Sequence, residues 1–523
     1  MIIIRRLIAL LLLLWIALLS GCSDSGSFVL RMDLQGPVHN LDPQFATEDA
    51  ARMILLNLGE GLMIRDGEGL SLGVALSCTL SEDGLTYEFL LREDACWQDG
   101  QPVLASQFVY AFQRMFAPGA ASPNAQQFRI LEGAEAILSG QGTLQDLGVT
   151  ATDQSRVVFR LAQSSPAFLE LLAIPSALPC REDFFTQSRG RYGLERSQVL
   201  SNGPFVLSRW DNEGSIRLER NDAYVSPRGL AKPERIVLYI GRDDPVAQYL
   251  NGKSDLLWVL PHQRQQVEGK GELTEWENRV WCILFNQNSS LWENPLLRQS
   301  LACTIDSSLY QTALNPGLRS TGLLIPPTPL WGGSVQRQPS QSSGPIAFDP
   351  RQGKRLLTLG LEAQGVERIP STALQAPEEF RDALNTITQG WQQHLNLSIY
   401  PEPASLSSLT QRLESGEFQL MLYPFTLDTG PDSLLDRFSS ASRVNFSGYH
   451  SPRFDEALKA ARTQANPSKA WDAYAAAEEI LLRDVVVIPL FWETTAYLTA
   501  PKISGIQVTP AGTVLFHSAS KAG

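Results

Sequence analysis

Two stretches far apart in the chain carry the same pattern, and that pattern restricts the fold more than any other feature. Residues 235–240 form an apolar, strand-like run, 244–250 fit a short helix, Gly252 supplies the backbone angle that ends it, and 255–259 are strand-like again. Residues 395–400, 405–413, Gly416 and 418–423 repeat the order. Strand–helix–strand units belong to α/β lobes with parallel or mixed sheets. At 523 residues the chain is several times the size of one hydrophobic core, so two or three lobes are predicted.

Around these units the local signals are ordinary ones. Residues 74–80 and 85–91 read as two strands about a Ser81-Glu82-Asp83-Gly84 turn, with Tyr87, Phe89 and Leu91 on one face. A helix with Phe108, Phe112 and Met115 at helical spacing follows, and Trp97 just before it is read as a lid on the local core. Residues 333–346, rich in Gly, Ser, Gln and Pro, read as a surface loop. Two helices start near Pro452 and Pro467. The apolar run 485–492 reads as a strand, and Pro489 within it argues against a central, fully bonded position.

The N-terminus sets the compartment. Arg5 and Arg6 precede an apolar stretch, residues 7–19, of signal-peptide length that is short for a permanent membrane helix. It ends in Leu19-Ser20-Gly21-Cys22, which resembles a bacterial lipobox. That resemblance implies removal of residues 1–21, a lipidated Cys22 and a polar tether over 22–27, anchoring the chain to a membrane on the periplasmic or outer side. Five cysteines then remain, at 78, 96, 180, 282 and 303, an odd number with no metal-cage spacing.

Chemistry-bearing motifs are missing. A net charge of −12, with no basic block beyond the leader, excludes nucleic acid as a natural partner. Gly252-Lys253-Ser254 lacks the earlier glycine of a phosphate loop, since position 247 is Ala. The five histidines have no partner at i+4, and no nucleophile elbow occurs. No cofactor, metal or catalytic residue is assigned, and the chain is read as a non-enzyme.

One segment stands out: Tyr423 closes an apolar run, and 424–433 supply a turn with Asp428, Gly430, Pro431 and Asp432. Strand ends in α/β lobes face ligand crevices. Asp428 has two readings here, a partner for a ligand ammonium group or a turn residue. Asp432 is read as the cap of a helix over 433–438.

Several short strings, in order, resemble the bacterial extracellular solute-binding proteins of family 5, the oligopeptide and dipeptide class. They are Leu41-Asp42-Pro43; residues 80–92 with Trp97-Gln98-Asp99-Gly100; Ser201-Asn202-Gly203-Pro204-Phe205 with Trp210; Phe285-Asn286 with 295–301; and Asn445-Phe446-Ser447-Gly448-Tyr449 with Ser451-Pro452. The resemblance implies a periplasmic-binding-protein-like clamshell of two α/β lobes with an extra domain. Lobe I would take residues 28–66, 190–285 and 488–520, the extra domain 67–189 and lobe II 286–487, with hinges near Phe285 and Val487.

It further implies a monomer that captures short peptides between the lobes and hands them to an ABC permease with its ATPase subunits. Asp428, Tyr423, Asn202 and Gly203 are the ligand-binding residues it points to. The match departs at one place: the family aspartate stands four residues before the proline, where this chain has Leu427, and Asp428 is three before Pro431. A non-peptide solute such as a nickel chelate, opine or sugar, or a sensory or chaperone-like envelope role without transport, are the alternatives.

Overall fold

The computed structural model describes residues 28–522, apart from 68, 120–121, 166, 212–213, 227, 312–313, 315–316, 327–343, 428–429, 443, 465–466 and 510. Cys22, Asp428 and most of the 333–346 loop therefore lie outside the described residues.

Two long strands organise the molecule. Glu272–Phe285 and Val487–Thr499 run antiparallel along each other at the centre of an eleven-stranded mixed sheet. On one flank lie Leu256–Val259, Val29–Asp33, Arg235–Tyr239, Ser215–Arg220 and Phe205–Trp210 in spatial order. On the other lie Leu420–Thr426, Thr372–Ala376 and Ile399–Pro403, and the short Leu318–Ser320 pairs with Val487–Thr499 outside this order. Parallel pairing is confined to the two α/β units: Val29–Asp33 with Arg235–Tyr239 and Leu256–Val259, and Thr372–Ala376 with Ile399–Pro403 and Leu420–Thr426. The helices of both units end as their glycines require, with Gly252 at φ 70° and Gly416 at φ 73°. Asp244 and Ser405 cap their starts through Ala247 N–H and Ser408 N–H.

Side-chain alternation explains why the second lobe has helices on both faces. Val280, Cys282 and Leu284 enter one core with Met421, Phe425 and Leu481, while Trp281, Ile283 and Phe285 enter another with Leu420, Leu422 and Trp391. In the first lobe, Leu30, Met32, Ile236, Leu238 and Leu256 share a core with Tyr497 and Phe516. The extra domain carries its own antiparallel sheet, Ala75–Leu80, Thr86–Leu91, Arg156–Arg160 and Val149–Ala151, beneath the helix Ala105–Phe116. Phe112 sits edge-on to Phe128 at 5.0 Å and to Phe159 at 5.3 Å. Each such buried ring stabilises that core by roughly 1.5–3 kcal/mol. Trp97 is buried, and its indole N–H donates to Gln107 Oε1 at 2.9 Å.

The two long strands pass from one lobe's core to the other's between Trp276 and Val280 and between Trp492 and Ala496, some distance from Phe285 and Val487. A bulge leaves Asn278 unpaired between Glu277 and Arg279 at that place, and a second leaves Leu490 unpaired opposite Trp281 and Cys282. The second bulge agrees with the expectation that Pro489 does not occupy a fully bonded central position. Val487–Thr499 is a central strand, and its proline is accommodated because the ladder is already interrupted beside it. The bulged Leu490 carbonyl is bonded from outside the pair, by Thr321 N–H and the Tyr310 hydroxyl.

Asp432 also departs from expectation. The helix begins earlier, Pro431–Leu435, with Gly430 at the cap, and Asp432 pairs with Arg462 at 2.6 Å instead. All five described cysteines are free thiols.

Candidate functional site

A cleft of about 650 Å³ lies between the lobes, over the part of the long strands where the cores change. The strand ends that the α/β units direct toward it supply Met32 and Trp258 on one side and Tyr423, Pro424 and Thr426 on the other. The start of the helix Asp49–Leu58 contributes Asp49, Arg52 and Met53, and the extra domain reaches in with Gln127 and Glu170. Asn278, Arg279, Glu493 and Thr495 form the floor.

The floor is rigidly bonded. Glu493 accepts the Trp281 indole N–H at 2.7 Å and pairs with Arg279 at 3.5 Å. Asn278 donates to the Ala511 carbonyl at 3.1 Å and accepts from the Thr495 hydroxyl at 3.3 Å. On the first-lobe wall Trp258 stands edge-on to Tyr497, 4.7 Å between ring centres, with Trp276 stacked behind Tyr497 at 5.5 Å. These rings offer a stiff apolar surface of low side-chain entropy. Opposite them Tyr423 is half-buried, its hydroxyl bonded to Thr410 Oγ1 at 3.1 Å and its ring edge-on to Phe425.

Charges in the cleft are mostly paired. Arg65 lies 3.2 Å from Glu170, whose carboxyl is pushed up by burial against the opposing pull of Arg65. Glu48 holds the His39 ring at 2.6 Å, and Asp49 lies 3.9 Å from Arg52. At the rim the lobes touch: Arg129 of the extra domain donates to Asp436 at 2.6 Å, and Arg462 donates to the same oxygen at 2.6 Å. Among the described residues no group of three or more His, Cys, Asp or Glu is placed to hold a metal. No described helix is long and apolar enough to cross a membrane.

Of the residues singled out from the sequence, Tyr423 lines the cleft. Asn202 and Gly203 do not. Asn202 donates to the Glu60 carbonyl at 2.8 Å and accepts from Glu60 N–H at 3.1 Å, which ties two turns together beneath the cleft wall. Gly203 is there for closeness, since a Cβ would lie 2.9 Å from the Gly59 backbone. Both are engaged in packing the turns at Gly59 and Glu60. Leu427, at the family's aspartate position, is fully buried, and its N–H extends the strand ladder to the Asn278 carbonyl.

Trp258, Tyr497, Arg129 and Arg437 join the cleft or its rim without belonging to any motif of the sequence. The first pair lie on strands that pair with each other but are far apart in the chain. Arg437 carried a weak signal, a cation inside the acidic and apolar string Leu434-Leu435-Asp436-Arg437-Phe438 just after the strand end.

The family model of the bacterial extracellular solute-binding proteins, family 5 Middle, matches residues 69–446. A dipeptide-binding protein of Bacillus subtilis, DppE, is 24% identical over 514 residues, covering 95% of this chain and 92% of its own. A probable deoxycholate-binding periplasmic protein of Escherichia coli, YgiS, is 26% identical, covering 92% and 91%. Among solved structures, the peptide-bound OppA of Listeria monocytogenes superposes with a TM-score of 0.78 at 24% identity, over 95% of this chain and all (100%) of that one. The fold is that of these two-lobed binding proteins.

Proposed function

This chain belongs to the bacterial extracellular solute-binding proteins of family 5, and from that premise we propose that it captures short peptides between its lobes and delivers them to an ABC permease. The observation that carries this reading is the cleft of about 650 Å³ walled by both lobes. It falls in the usual range of about 300–1,000 Å³ for sites that enclose a small ligand. A guest touching both walls favours closure because its contacts exist only when the lobes approach, and a guest bound to one wall would shift nothing. The aromatic wall of Trp258 and Tyr497 takes side chains of varied shape, which suits recognition of what peptides have in common.

The chain converts nothing in this reading; it binds, encloses and releases. Cys22 carries the lipid that holds it at the membrane, and it works as a monomer beside the permease and its ATPase subunits. Tyr423 contributes to the second-lobe wall, and Asp428 holds the peptide ammonium group. The second reading, a non-peptide solute, is favoured by one feature: the strand-end position of the family's aspartate is a buried leucine, Leu427.

Mass spectrometry of small molecules released from gently purified protein tests the choice. Mixed short peptides are the expected result. A single non-peptide species would replace the first reading with the second.

A further inference from the structure

Among the described residues lining the cleft, one charge has no counterpart. Arg437 lines the second-lobe wall, half-buried, and its Nε is enclosed with no hydrogen-bond partner. No ion pair or hydrogen bond engages its guanidinium among the described residues. The two acids nearest in sequence are committed elsewhere: Asp432 to Arg462, and Asp436 to both Arg462 and Arg129. Every other described charged side chain lining the cleft has a partner, Arg65 with Glu170, Arg279 with Glu493, Arg52 with Asp49 and Glu48 with His39.

We propose that Arg437 is a carboxylate-selecting subsite, so that this cleft takes ligands bearing an acidic group on the second-lobe side. The proposal rests on the peptide-capture reading above and names the class of peptide within it. Closing the cleft strips water from an unpaired guanidinium, which is costly unless an anion replaces the water. A carboxylate does so with two parallel charge-assisted bonds, the geometry that the planar fork of arginine presents. A neutral group returns only part of that loss, so the site discriminates against neutral ligands as well as for acidic ones. The carboxylate comes either from a peptide C-terminus or from a Glu or Asp side chain, and both meet the same chemistry.

The test is titration calorimetry of the full chain with Ala-Ala-Ala, Ala-Gln-Ala and Ala-Glu-Ala, each with a free and an amidated C-terminus. Wild type is compared with Arg437→Met, Arg437→Gln and Arg437→Lys. Wild type should favour one class of carboxylate-bearing peptide by at least about 30-fold. The amidated series reports the terminal group and the Glu–Gln pair the side chain. Arg437→Met and Arg437→Gln should both abolish that preference, and they should bind the matching neutral peptides more tightly than wild type does, because no guanidinium is left to desolvate. Arg437→Lys should restore part of it, through charge without the fork. Because Arg437 holds no partner among the described residues, the variants are expected to melt as wild type does, and two neutral replacements guard against a folding defect in either. Peptide binding with the same ratios in wild type and both neutral variants overturns the subsite and leaves peptide capture standing. Failure of wild type to bind any of the peptides overturns both.

Discussion

Arg129→Met should loosen the clamshell without damaging either lobe. Arg129 and Asp436 meet across the cleft rim at 2.6 Å, with 18% and 16% of their side chains exposed. A pair that well enclosed exceeds the surface norm of roughly 0.2–1 kcal/mol and falls short of a fully buried one. The sharing of Asp436 lowers the cost of removing Arg129: Arg462 remains bonded to the same carboxylate oxygen, so no buried charge is left unpaired. We therefore place the loss at about 1 kcal/mol, a factor of about five in the closed-to-open ratio. Methionine keeps the hydrocarbon stem and removes only charge and donors. If the contact exists only in the closed form, apparent ligand affinity falls about fivefold, mostly through faster release. Stopped-flow release of a bound peptide, followed by tryptophan fluorescence, measures it, and small-angle scattering of the ligand-free protein should show a larger radius of gyration. Arg129→Met with wild-type release kinetics and an unchanged scattering profile would refute the argument that this ion pair biases closure. Asp436→Asn serves as contrast: it weakens Arg462 as well, so it should lower thermal stability where Arg129→Met does not.

Two further outcomes follow from buried polar groups. Arg298 is 3% exposed and donates to the carbonyls of Trp292, Glu293, Asp484 and Val485, with burial pushing its guanidinium down to about 10. Arg298→Met leaves those carbonyls without their donor and should cost about 3–5 kcal/mol in urea unfolding; a loss under about 1 kcal/mol would mean that water replaces the guanidinium. His517 is held below its ordinary range by burial, and its Nε2–H faces the Gly229 carbonyl at 2.9 Å. The unfolded chain therefore takes up this proton before the folded one, so below about pH 6.5 the imidazole costs stability as pH falls, by at most about 1.4 kcal/mol per pH unit. His517→Asn should flatten that part of the acid limb in melting curves measured between neutral and mildly acidic pH, and an identical slope would dismiss the histidine as its source.

What the sequence made legible was whatever repeats locally. The strands about Gly84, the helix Ala105–Phe116 and both α/β units declare themselves by alternation, helical spacing and a glycine at each helix end, and the structure has all of them. The string matches carried the family and the clamshell for the same reason: turns and caps are short-range devices. Pro489 marked an incompletely bonded position but not its form, because the bulge that accommodates it is a relation between two strands more than two hundred residues apart in the chain. Asp432 was misread because Arg462, folded against it, competes with the helix end for its carboxylate.

The binding wall was harder to read than the fold because it has no local period. Trp258, Gln127 and Arg437 share no spacing, and each has an ordinary neighbourhood in the chain. Asn202 and Gly203 show the converse: a recurrent string drew attention to them, yet the physical need it answers is the close approach of Gly203 to Gly59 and the bonding of the Glu60 backbone. Strings of this kind mark backbone constraints, which every member of a fold must meet, while side chains that face a guest are free to differ with the guest. The residues that distinguish what this cleft holds are therefore to be sought where the strings fall silent, and an unpaired arginine on the wall is of that kind.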